Sequence, residues 1–177
     1  MTPRTARFFR NNSCYHLVTR GHQQQRLFAE DSDYRFYLSL IKKYKQRFQM
    51  RVYGFCLMPD HVHLIAKAVL PRHLSAFMQG INQSYALYFN AQHQRIGRLW
   101  RGRFKSILLP TEYDVMNCLQ YVEYAPVRLQ ITGSPSSYPW GSCLGRIMGD
   151  PAGVLDTFFY VGNVLQVPEM SVSPPPR

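Results

Sequence analysis

The chain has 177 residues and carries 21 Lys plus Arg against 10 Asp plus Glu, a formal charge of +11 and a pI near 9.8. With 46% hydrophobic residues it can bury a core, so a wholly disordered chain is excluded. No apolar run reaches the roughly 18 residues that span a bilayer, and MTPRTARFFRNNSCYHLV lacks the apolar stretch of a secretory signal. The four cysteines, Cys14, Cys56, Cys118 and Cys143, form no C-x-x-C, so no zinc-finger or iron–sulfur motif is present. Reduced thiols in a cytoplasmic protein are expected.

Residues 13–20 (SCYHLVTR) read as a strand that Gly21 can end. Asp31 or Ser32 can cap a helix, because Tyr37, Leu40, Ile41, Tyr44 and Phe48 follow at helical spacing. Arg51–Met58 and His61–Val69 read as strands of a hairpin turned at Pro59-Asp60. Pro71 opens a second helix with Leu74, Phe77, Met78, Ile81, Tyr85 and Tyr88 on one face. Residues 91–102 are polar and basic and read as a loop. Arg103–Leu109 reads as the fourth strand. Thr111 with Asp114 makes a capping box, and the third helix runs to about Tyr124 before Pro126. The order β-α-β-β-α-β-α matches an α+β, ferredoxin-like βαββαβ arrangement: an antiparallel sheet with two helices on one face, plus an added helix. From Thr132, Gly, Pro and Ser dominate. That segment reads as an extended tail with a short apolar piece at Val154–Val161 and a disordered end at SVSPPPR. The expected division is a basic arm over 1–12, a domain over 13–131 and an extension over 132–177.

The positive charge is clustered. Between Asp60 and Glu112 lie fifty-one residues without an acid, and seven basic ones, including Arg95, Arg98, Arg101, Arg103 and Lys105. Trp100 and Phe104 are interleaved with them. Lys42, Lys43, Lys45, Arg47 and Arg51 form a second cluster, and Arg4, Arg7 and Arg10 a third. One such run is ordinarily a solvated face. Three runs on a basic chain favour nucleic acid, with guanidinium groups for phosphates and flat rings for unpaired bases.

The sharpest local signal is His61-Val62-His63. On a strand these imidazoles share a face, about 6.6 Å apart at Cα, within reach of one divalent ion. Taken alone, such a pair is more often ordinary surface or core. Asp60 beside it reads first as a turn residue. Acids are scarce, which disfavours a two-metal nuclease and leaves a single histidine-held metal as the better fit. A tyrosine can attack phosphorus and leave a phosphotyrosine, but spacing alone does not select Tyr121 among twelve tyrosines.

These segments together resemble a known family. GFCLMPDHVHLIA resembles the HUH segment (His, hydrophobic, His) of single-strand DNA transposases. YHLVTRGHQQQRLF, FMQGINQSYALYFN, GRLWRGRFKS, YVEYAPVR and SYPW stand in the order shown by REP-associated tyrosine transposases. The resemblance covers about residues 13–142. It implies that His61 and His63 hold Mg²⁺ or Mn²⁺ and that Tyr121 is the nucleophile. The implied intermediate is a 5′-phosphotyrosine with a free 3′-OH. The implied substrate is single-stranded DNA beside a folded hairpin, a REP-type palindrome, at the nucleoid. Arg98, Arg101, Arg103 and Lys105 would bind the backbone, and Arg4, Arg7 and Arg10 the hairpin or its foot. Family members act as monomers or homodimers.

Two positions depart from the family pattern. The family commonly has Asn four residues after the tyrosine, on the same helical face, where the amide can be a third metal ligand. Here that residue is Ala125, and Glu123 should point elsewhere. Arg101 stands where the family often has Glu. Two other readings stay open: a hairpin-binding protein with weakened or lost catalysis, and an RNA-binding module, against which the histidine pair argues.

Overall fold

The computed structural model describes residues 9–158. Strands β1 (Ser13–Arg20), β2 (Met50–Leu57), β3 (His61–Ala68) and β4 (Lys105–Leu109) form one antiparallel sheet in the order β2-β3-β1-β4. Helices α1 (Asp31–Arg47) and α2 (Pro71–Gln92) pack on one face. This is the ferredoxin-like arrangement expected from the element order. Helix α3 (Glu112–Glu123) lies on the other face, so the sheet is covered on both sides.

Alternation assigns each strand residue to a layer. Tyr15, Leu17, Val62, Leu64, Ala66 and Ala68 join the core beneath α1 and α2. Cys14 and Ile65 join a smaller core with Val115, Leu119 and Val122 of α3. In β2 the register shifts between Val52 and Gly54. This bulge lets Val52 and Phe55 both face α1 and α2, while Tyr53 and Cys56 face α3. Close approach favours glycine there, because a Cβ at position 54 would press on Leu119 Cδ2.

Several sequence-based boundaries shift. The α1 N-cap is Glu30, not Asp31 or Ser32. Asp33, fully buried, accepts the N–H groups of Ala29 and Glu30, satisfying donors that α1 itself leaves open. On α2 the buried residue of the last turn is Phe89, while Tyr88 is half-buried and stacks on Phe36. At the end of α3, Pro126 has no N–H to give Val122. The helix breaks at Tyr124, and a short turn, α4 (Ala125–Arg128), follows.

As far as Phe158, the segment from Thr132 is packed, not an extended tail. Tyr138 is buried and its hydroxyl donates to the Leu57 carbonyl at 2.7 Å. Trp140 stacks on Tyr34 at 4.5 Å between centroids. Helix α5 (Ser142–Met148) is tied to α3 by Glu123, which accepts from Ser142 Oγ at 2.7 Å and pairs with Arg146 at 2.8 Å. The Asp156 carboxylate accepts from Lys45 Nζ at 2.7 Å and from the Val52 N–H at 2.8 Å. Gly, Pro and Ser supply the turns of this segment, and isolated aromatics supply its anchors. Part of the apolar piece at 154–161, and the SVSPPPR end, lie outside the described residues. Among the described residues, no helix is long and apolar enough to cross a membrane.

Candidate active site

The histidine pair lies at the start of β3, where the turn at Pro59-Asp60 delivers the chain into the sheet. Both rings stand on the α3 face, with centroids 4.8 Å apart and planes nearly perpendicular. His61 is half-buried, and its Nδ1 meets the Asp60 carboxylate at 2.6 Å. Asp60 thus orients His61 in addition to making the turn. His63 is 6% exposed, and its Nδ1 faces Nε2 of His16 at 2.8 Å. In each strand histidine Nδ1 is engaged, and Nε2 is the remaining nitrogen.

His16 lies within the motif YHLVTRGHQQQRLF, where the sequence assigns it no role. It sits on central β1, where Val18 pairs with His63 and His16 with Ile65. It therefore shares the face of the pair, and its ring lies nearly parallel to that of His63, with centroids 5.0 Å apart. Burial holds the His16 imidazole down to about 4. Burial also holds His63 well below the usual imidazole range, assisted by repulsion from His16, His61, Arg20 and Arg128. Both rings are therefore neutral at pH 7, the form that binds a metal ion.

Tyr121, in the last turn of α3, comes over this cluster. Its ring lies 6.2 Å from His63 and 6.3 Å from His16, edge-on to both. Arg128, the last residue of YVEYAPVR, likewise has no role assigned by the sequence. Its guanidinium lies 4.0 Å from the Tyr121 ring centroid, and Nη1 donates to the Tyr121 carbonyl at 2.7 Å. The break at Pro126 turns α4 back so that residue 128 meets residue 121. Ala125 is buried in the smaller core. Glu123 faces α5, away from the histidines. Among the described residues, no set of three His, Cys, Asp or Glu side chains is placed to hold one metal ion. The donor set is nonetheless suited to one: two imidazoles on one face, each with its second nitrogen already hydrogen-bonded.

The predicted DNA-binding residues are not brought into one cluster. Lys105 pairs with Val18, which pairs with His63, so it lies on the histidine face about 10 Å across two strand spacings. The Arg101 N–H donates to the Arg20 carbonyl, placing Arg101 at the His61 end of β1. Arg103 lies instead along a groove against α2 with Gln79, Asn82 and Gln83. Arg98 sits beside the 22–25 turn, where its carbonyl accepts from Gln25. All four side chains are exposed, and none forms an ion pair among the described residues. Arg10 lies at the far end of β1, where its N–H donates to Tyr15. Arg4 and Arg7 lie outside the described residues. Trp100 packs inward against Tyr37 and Tyr85 and donates to the Asn82 carbonyl, which makes it structural. The thiols of Cys14, Cys56 and Cys118 are pushed up to about 12 by burial and carry no chemistry here.

A four-stranded antiparallel sheet with a histidine pair beneath a helix-borne tyrosine is the setting in which the sequence matches fall. Residues 10–125 match the profile of the IS200-like transposases, and the chain belongs to that family. Its fold is that of a REP-associated tyrosine transposase, solved bound to a REP hairpin: the TM-score is 0.70 at 15% identity, over 97% of this chain and all of that one. A Deinococcus radiodurans R1 protein described as a transposase is also similar, with a TM-score of 0.45 at 19% identity, over 68% of this chain and 96% of that one. No curated protein matches the sequence.

Proposed function

We propose that this chain is a metal-dependent, single-stranded DNA endonuclease and strand transferase that acts beside DNA hairpins through Tyr121. The observation that carries this reading is the approach of Tyr121 to His63, 6.2 Å ring to ring, on a face where both strand histidines keep Nε2. Tyr121 Oη would attack the scissile phosphorus, forming an O–P bond as the bond to the 3′ oxygen breaks. The phenol gives up its proton, and the departing oxygen takes one up as a 3′-OH. The 5′-phosphotyrosine keeps the energy of the diester, so a second 3′-OH can displace the tyrosine without any external energy source. His61 and His63 would hold Mg²⁺ or Mn²⁺, whose contribution is to polarise a phosphoryl oxygen. Arg128 fixes the tyrosine ring. Arg20, Arg101 and Lys105 line the histidine end of the sheet and would position the backbone.

The hairpin-bound relative supports a REP-type palindrome as the substrate class. The test is incubation with single-stranded DNA carrying palindromes from around the gene, with Mn²⁺. Cleavage leaving a 3′-OH product, lost in Tyr121→Phe, is expected. Intact DNA under saturating binding would reject the reading. A second reading, a hairpin binder with weakened catalysis, is favoured by Ala125, which cannot supply the family's amide. It predicts binding without cleavage, with Ala125→Asn restoring the cut.

A further inference from the structure

We propose that His16 is a positioning residue for the histidine pair: its Nε2 accepts the Nδ1–H of His63 and so leaves the His63 Nε2 lone pair for a divalent cation. This rests on the reading of His61 and His63 as ligands. The two nitrogens face each other at 2.8 Å, so one proton lies between them and one ring is the donor. If His16 donated, His63 would carry its own proton on Nε2, and that nitrogen could not coordinate. A shared ion needs the same tautomer at both ligands, and the neighbouring histidine shows which one that is. Asp60, an acceptor when ionised, faces His61 Nδ1 at 2.6 Å, which puts the His61 proton on Nδ1 and the lone pair on Nε2. With His16 as acceptor, His63 has the same tautomer, and both strand histidines present a lone pair. With His16 as donor, the two would be mismatched.

His16 is built for this role by the sheet. It lies on central β1, is 5% exposed, and is confined between the His63 ring and the edge of Tyr121. It acts through His63, since its own Nε2 is already directed at His63 Nδ1. One buried side chain thus touches both halves of the site, the metal-facing strand and the helix that carries the nucleophile.

The test uses the full chain with two readouts. Long-range ¹H–¹⁵N correlation reads the His63 tautomer without metal, and the electron paramagnetic resonance of free Mn²⁺ gives the affinity. The variants are His16→Phe, which has no acceptor, and His16→Gln, whose side-chain carbonyl can accept. The expected result is an Nδ1–H tautomer at His63 in the wild type. Mn²⁺ binding should weaken about 10- to 100-fold in His16→Phe, the usual loss for an outer-shell partner, with recovery in His16→Gln. A wild-type His63 protonated on Nε2 would overturn the inference, and decides it even if His16→Phe does not fold. Equal Mn²⁺ affinity in wild type and His16→Phe would overturn it alone. No Mn²⁺ binding by the wild type would overturn the ligand reading as well.

Discussion

Arg128→Met removes a guanidinium while keeping an apolar stem of similar length. In the native chain Arg128 makes two contacts to Tyr121, a 2.7 Å hydrogen bond to its carbonyl and a 4.0 Å stack on its ring. A charge-assisted bond contributes about 1.5–3 kcal/mol when buried, and an exposed cation–π contact about 0.5–1 kcal/mol. Arg128 is exposed and water can replace it at the carbonyl, so the expected loss of stability is only about 1 kcal/mol, or about 2–4 °C in Tm. The effect on chemistry should be larger. The ring loses its clamp, and a nucleophile misplaced by about 1 Å can cost up to 100-fold in rate. Adduct formation on hairpin DNA, measured under single turnover with Mn²⁺, should slow about 10- to 100-fold, whereas hairpin affinity should fall little. Arg128→Lys keeps the charge without the planar stack and should lie between. Wild-type adduct rates in Arg128→Met would show that Arg128 does not position Tyr121, since nothing else among the described contacts holds the Tyr121 carbonyl.

Four further outcomes follow from the same contacts. In metal-free buffer, stability should rise with pH between about 4 and 6.5. His16 has a folded value near 4 and His63 is also held low by burial, so in that window the unfolded chain binds more protons; His16 contributes up to about 3 kcal/mol, read by urea melts, and His16→Phe should reduce the slope. Gly54→Ala should cost about 1–3 kcal/mol by pressing on Leu119, with adduct yield falling as α3 shifts; an unchanged Tm would show that the bulge yields freely. Asp156→Ala should cost about 2 kcal/mol by leaving the mostly buried Lys45 ammonium and the Val52 N–H short of a partner, measured by denaturant titration. Ala125→Asn should tighten Mn²⁺ binding while lowering Tm, because an amide enters the packed smaller core; calorimetry and melting check the two together.

The elements that carry their own period were legible in the sequence. The sheet strands, the apolar faces of α1 and α2, and the Thr111–Asp114 cap follow from local spacing, and the family motifs pointed to His61, His63 and Tyr121. What was hidden depends on contacts between distant segments. His16 lies on the face of His63 only because β1 pairs with β3 in one particular register, which no local pattern reveals. Its place in SCYHLVTR, on the same alternation as Cys14 and Val18, was the available signal. Arg128 was hidden by Pro126, which read as a stop and proves to be a turn that brings residue 128 back onto residue 121. Tyr138 and Trp140 stood out only as part of the SYPW motif, and their packing was masked by the Gly, Pro and Ser around them, since a single aromatic anchor has no period. The close approach at Gly54 likewise comes from α3, a helix almost sixty residues later.

Whether Tyr121 is the nucleophile beside a histidine-held metal is read from peptide mapping of the covalent species formed with hairpin-bearing single-stranded DNA and Mn²⁺. A nucleotide on the peptide containing Tyr121 is expected, with no adduct in Tyr121→Phe, in His61→Ala or with chelator. An adduct on another residue, or one formed equally without metal, would rule out that chemistry.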